Sequence, residues 1–119
     1  MTATWSRDDA GRPDQWHAGN FRRDWANGDT LKDSETDHTF TGFGGEAMVF
    51  DGETPVYRLT ASPECRDLHV FTPAGETFYC LEPVTDRPDP FHEQPLRIHS
   101  LPPGEKLAAW MTLTPLLPF

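Results

Sequence analysis

Basic residues, cysteines and long apolar runs are scarce in this chain, and each scarcity removes a class of function. Lys and Arg number 10 against 19 Asp and Glu, a formal net charge of -9. Such a field repels phosphate backbones and anionic membrane surfaces, so neither nucleic acid nor a membrane is expected as a partner. No apolar stretch approaches the roughly 20 residues of a membrane helix, and the first residues, Met1 to Asp9, lack the apolar segment of a secretory signal. A soluble, cytoplasmic protein is the expectation. The 2 cysteines, Cys65 and Cys80, fit no metal-ligand spacing and no disulfide framework, and both read as reduced thiols. The 5 histidines (His17, His38, His69, His92 and His99) have neither the one-helix spacing of a zinc protease nor clustered cysteine partners, so no metal site is expected. No glycine-rich loop leads into Lys and Ser or Thr, and no Gly-x-Ser-x-Gly occurs, which removes the phosphate cradle and the serine nucleophile of those motifs.

What the chain has is turn residues together with aromatics: 12 Pro and 9 Gly beside 8 Phe, 4 Trp and 2 Tyr in 119 residues. Its length suits one domain. The aromatic content argues against disorder and for a turn-rich all-β protein. From Ala47 onward short apolar segments alternate with turns, the pattern of an antiparallel β-sandwich or barrel. Ala47 to Phe50 ends at Asp51-Gly52, a hairpin signal, and Val56 to Ala61 follows. Leu68 to Thr72 and Thr77 to Leu81 flank Pro73-Ala74-Gly75-Glu76 and read as a second hairpin. Leu96 to His99 and Lys106 to Thr114 flank the turn Pro102-Pro103-Gly104-Glu105. In the last of these, Leu107, Ala109, Met111 and Leu113 share one face, which is expected to be core. Residues 1–46 are expected to be different, with Asp8 to Asp37 polar and irregular and held down by Trp16, Phe21 and Trp25.

Two places stand out chemically. Glu82 ends an apolar strand on which Phe78, Cys80 and Glu82 point one way and Tyr79 and Leu81 the other. Partial desolvation there would make the carboxylate a stronger base, suited to proton transfer near neutral pH; the alternative is a strand-end Glu pointing into water. The second place is the run from Asp37 to Gly45, where polar groups precede aromatics and then glycines, letting backbone and ring approach a small ligand. Its alternative is an Asp-capped turn leading into a glycine-rich loop. Asp37 and His38 are adjacent in an extended segment, face opposite ways and do not form a dyad.

Taken together, these segments resemble the C-terminal part of the aldose 1-epimerases, or galactose mutarotases, in particular their bacterial mutarotase-like branch. The matching pieces run in order: Phe21, Gly28 and Leu31; Asp37-His38-Thr39-Phe40 and Gly42; Ala61-Ser62; Phe71-Thr72-Pro73; Phe78 to Thr85; Pro88-Asp89; and Leu101 to Glu105. The resemblance implies a β-sandwich of the galactose mutarotase-like supersandwich type, here its C-terminal portion, and a function in interconverting the α and β anomers of an aldose. It makes Glu82 the general base and Asp37 the carboxylate that binds sugar hydroxyls. It offers Phe40, Phe43 or Trp110 as an apolar face for the ring, the alternative for each being a core residue, and it requires no cofactor. The substrate implied is an aldohexose; a hexose phosphate would ask for Arg87 and Arg97 at the pocket, and the acidic balance favours the neutral sugar.

The departures from the family are specific. Its general acid is a histidine in an upstream half that has no counterpart here, and none of the five histidines matches it. Pro90 and His92 stand where relatives carry Ala and Asn at the rim of the sugar pocket. The expectation is therefore a truncated form, an isomerase that self-associates or needs the missing upstream half; the alternative is a noncatalytic sugar-binding or interaction fragment.

Overall fold

The computed structural model of the chain describes residues 1, 3–7, 13–19, 23–25, 27–31, 35–86, 98 and 100–116. Its regular elements there are all strands: β1 (Ala3–Arg7), β2 (Pro13–Ala18), β3 (Thr36–Thr41), β4 (Glu46–Asp51), β5 (Thr54–Ala61), β6 (Asp67–Thr72), β7 (Cys80–Val84) and β8 (Met111–Pro115). They form two antiparallel sheets, one of five strands in the order β2-β1-β3-β6-β7 and one of three in the order β4-β5-β8. The protein is all-β over the described residues, as its turn-rich, aromatic composition predicts.

The β4–β5 hairpin turns at Gly52, whose φ of 60° is the positive angle that makes glycine the natural residue there. β3 and β6 form the centre of the larger sheet. Both are rich in β-branched and aromatic residues. The register pairs His38 with Val70 and Phe40 with Leu68, and Val70 in turn with Leu81. Directly opposed residues share a face, so this face carries Phe40, Leu68, Val70 and Leu81 into the core. From the smaller sheet Leu59 and Ala61 join the same buried cluster, with Phe43 and Cys65 from the connections.

Those connections explain how the two sheets meet. Residues 42–45 carry the chain from β3 to β4, and residues 62–66 bring it back from β5 to β6. The two run side by side, with Phe43 N–H donating to the Arg66 carbonyl at 2.8 Å and Ala61 N–H to the Gly45 carbonyl at 2.9 Å. Gly45 has φ 89°, and a Cβ built on it would lie 3.1 Å from the Ala61 carbonyl oxygen. A side chain at this corner would be both strained and crowded.

Four expectations are corrected. Residues 1–46 are not an irregular preamble: they supply β1, β2 and β3, including a central strand. Threonine dominates β3, an interior strand with Thr36, Thr39, Phe40 and Thr41 all buried, so its sequence lacks the apolar alternation that marks a half-exposed strand. Of the three anchoring aromatics, Trp25 does pack on the core, edge-on to Phe40 at 5.2 Å, with the Arg23 guanidinium 5.4 Å from its ring; Phe21 lies outside the described residues. Next, the strand expected at Thr77 to Leu81 is β7 at Cys80–Val84. Pro83 fits inside it because β7 is the sheet edge, where a missing N–H faces away from the ladder. Glu82 is thus mid-strand, and Phe78 lies outside the ladder against Phe71.

The last two corrections concern the C-terminal region and the Glu82 environment. β8 is shorter than Lys106 to Thr114, and its apolar face is not core: Met111 is 55% and Leu113 58% exposed, although their register partners Ala61 and Leu59 are buried. Among the described residues nothing covers that edge. Glu82 is exposed, so of its two readings partial desolvation is overturned and the Glu pointing into water holds. The strand read at Leu96 to His99, and with it Arg87, Arg97, Pro90 and His92, lies outside the described residues except for Ile98.

Candidate functional site

The face of the larger sheet opposite the core is polar. On β3 it carries Asp37, Thr39 and Thr41; on β6 Asp67, His69 and Phe71; on β7 Cys80, Glu82 and Val84. Thr39, Thr41, Asp67 and His69 are all buried there. Burying four polar side chains side by side costs free energy unless they are hydrogen-bonded, so the row needs its partners.

His69 is the hub. It lies directly opposite Thr39 on one side and Glu82 on the other, so one row crosses three strands. Its Nδ1 lies 2.8 Å from Thr39 Oγ1, and its Nε2 lies 2.7 Å from Asp37 Oδ1. Asp37 is the diagonal neighbour, one pair further along β3, a separation that a ring and a carboxylate together can span. The side chain of His69 is 10% exposed and that of Asp37 38%. The hydrogen-bonded chain therefore runs outward, from a buried hydroxyl through a buried imidazole to a carboxylate at the surface. Glu82 stands beside it, with Cβ atoms of such opposed pairs typically about 4.5–5.5 Å apart.

Asp37 and His38 do point to opposite faces. The His38 ring is on the core side, near Phe40, and its Nδ1–H donates to the Asp37 carbonyl at 2.8 Å. Burial, the largest influence, pushes its pKa below the usual histidine value.

The structure separates two features that are contiguous in sequence. Asp37 is the second residue of β3, whereas Gly42 to Gly45 follow its other end, about 17 Å away at about 3.3 Å per residue. The glycine segment lines a cavity of its own, about 410 Å³, with Ser62, Cys65 and Arg66. Arg66 is committed to the Asp86 carboxylate at 2.9 Å and to the Thr85 carbonyl. Phe40 and Phe43 are core residues and Trp110 is exposed. Elsewhere Tyr57 and Tyr79 share a hydrogen bond of 2.6 Å, and burial with that bond raises the Tyr57 pKa.

Asp37 and Glu82, the two residues singled out from the sequence, thus share one face with His69 between them. Thr39 and His69 were not singled out. A lone histidine inside the apolar run Leu68-His69-Val70 is the signal for His69, but its partners follow only from strand register. Among the described residues no group of three or more His, Cys, Asp and Glu is placed to hold a metal ion, and no helix is long and apolar enough to cross a membrane. Comparison with protein-family models, with curated proteins and with solved structures finds no match to the chain.

Proposed function

We propose that the chain is a carbohydrate-binding isomerase of the aldose 1-epimerase type, built on part of a galactose mutarotase-like supersandwich. The observation that carries this reading is the convergence of Asp37 and Glu82 on one polar sheet face, from strands distant in sequence. In the proposed reaction Glu82 removes the proton of the anomeric hydroxyl while an acid protonates the ring oxygen. The ring opens, the carbonyl end rotates, and closure on either face gives either anomer. The exposure of Glu82 leaves it accessible to a sugar. Asp37 holds sugar hydroxyls by charge-assisted hydrogen bonds and so fixes the ring relative to the base. The substrate is a neutral aldohexose, no cofactor takes part, and the chain works in the cytoplasm.

A second reading, a noncatalytic sugar-binding fragment, is favoured by one observation: both ring nitrogens of His69 are engaged by Thr39 and Asp37. The histidine directly opposite Glu82 is therefore held in place instead of being presented as an acid, and the acid must come from elsewhere. Titration of the chain with glucose and galactose tests what the two readings share. Asp37→Ala is expected to weaken binding about 10- to 150-fold, the equivalent of one hydrogen bond to a charged group. Equal titrations for parent and variant would remove Asp37 from the site.

A further inference from the structure

We propose that His69 is a positioning residue that fixes the Asp37 carboxylate for its ligand, an inference that rests on the sugar-binding reading above. A carboxylate accepts hydrogen bonds, so the 2.7 Å contact requires the proton on Nε2. In the neutral ring Nδ1 then accepts, and the Thr39 hydroxyl donates to it across 2.8 Å. Thr39 is 2% exposed and lies on a central strand, so the inner end of this chain is immobile. The outer end is an aspartate with more than a third of its side chain in solvent. Each contact that holds such a side chain narrows the rotamers it samples, and ordering it before binding lowers the free-energy cost of binding. His69 contributes to that order by tying Oδ1 to the sheet. It touches neither sugar nor reacting atoms; its effect passes through Asp37.

The two ends of the imidazole are separable by substitution. A glutamine at position 69 places its amide nitrogen near the Nε2 position and can still donate to Asp37, whereas an asparagine places its amide near Nδ1 and reaches only toward Thr39. Both are polar and similar in what they bury. A merely structural histidine predicts equal sugar affinities for the two variants. The positioning role predicts that His69→Gln stays within about 3-fold of the parent chain while His69→Asn is weakened about 10-fold or more, the loss of a hydrogen bond to a charged group.

The experiment has two arms on the full chain. In the first, titration with glucose or galactose compares the parent, His69→Gln and His69→Asn; equal affinities for the two variants overturn the proposal. In the second, nitrogen-15 spectra of the imidazole are recorded at about pH 8, above the ordinary histidine range. The expected signature is a protonated Nε2 and an unprotonated Nδ1, lost to tautomer averaging in Asp37→Ala. An averaged ring in the parent, or a proton on Nδ1, overturns the proposal. A parent chain that shows the signature but binds no aldohexose overturns the sugar reading alone, since the spectrum still establishes that His69 holds Asp37.

Discussion

Replacing His69 by leucine removes both hydrogen bonds of the polar row while roughly conserving volume. The consequence differs at its two ends. Asp37 keeps its access to water because its side chain is 38% exposed, so losing the imidazole there costs about 1.5 kcal/mol, the low end for a hydrogen bond to a charged group. Thr39 is 2% exposed and its hydroxyl loses its partner in the interior. An unsatisfied buried group costs about 1–3 kcal/mol, and with the outer end the total is about 2.5–4.5 kcal/mol. Thr39→Val alone leaves Nδ1 of a buried imidazole unpaired and is expected to cost about 1–3 kcal/mol for the same reason. In the double variant both members of the inner pair are apolar, and that penalty disappears. The double-mutant cycle should therefore give a coupling of about 2 kcal/mol or more, the double variant being more stable than the sum of the singles. Urea unfolding followed by circular dichroism measures it from the midpoints, with unchanged slopes confirming that the unfolding surface is the same. Additivity within about 0.5 kcal/mol would show that Thr39 and His69 do not interact, and the hydrogen-bonded row would have to be abandoned.

Three further outcomes are expected. Gly45→Ala should destabilise by about 1–3 kcal/mol, because φ is 89° and the added Cβ meets the Ala61 carbonyl at 3.1 Å; Gly44→Ala, with nothing within 4 Å, should be near neutral in the same urea assay. Burial depresses the His38 pKa in the folded state, so the unfolded chain takes up the proton first: this contribution to stability is full above the ordinary histidine range and is lost as pH falls through it. Thermal melts should show that slope reduced in His38→Leu, and an unchanged slope would place its origin elsewhere. Finally, with Trp110 57%, Met111 55% and Leu113 58% exposed at the β8 edge, the chain should elute above monomer size in a concentration-dependent way. Leu113→Lys should shift it toward monomer, and a parent chain that is monomeric at every concentration would refute this.

The parts of the fold that were legible in the sequence are those whose signals are local. Asp51-Gly52 marks the β4–β5 turn because glycine supplies a positive φ, and Leu68 to Thr72 reads as a strand from its composition. Asp37 and His38 separate to opposite faces as any extended pair must. What stayed hidden depends on partners. β3 reads as polar chain because the burial of its threonines is set by its interior place in the sheet and not by its local sequence, and β7 is displaced from Thr77 to Cys80 because the ladder with β6 ends at Phe71. The apolar row of β8 reads as core, yet periodicity reports which residues share a face and not whether anything covers it. The site divides the same way. Asp37 and Glu82 stand out by residue type and by resemblance, whereas Thr39 and His69 acquire meaning only from the register that sets them opposite one another.

Polarimetry of freshly dissolved α-glucose or α-galactose, corrected for spontaneous anomerisation, tests the central claim most directly when the chain is supplied with the histidine-bearing upstream half of an aldose 1-epimerase. Because acid and base would then both be present, the proposed mechanism predicts a gain in mutarotation over the chain alone of about 10²- to 10⁴-fold. Glu82→Gln conserves size and most packing, and it should abolish that gain. A Glu82→Gln protein that mutarotates as fast as the parent under the same conditions would contradict the assignment of Glu82 as the base.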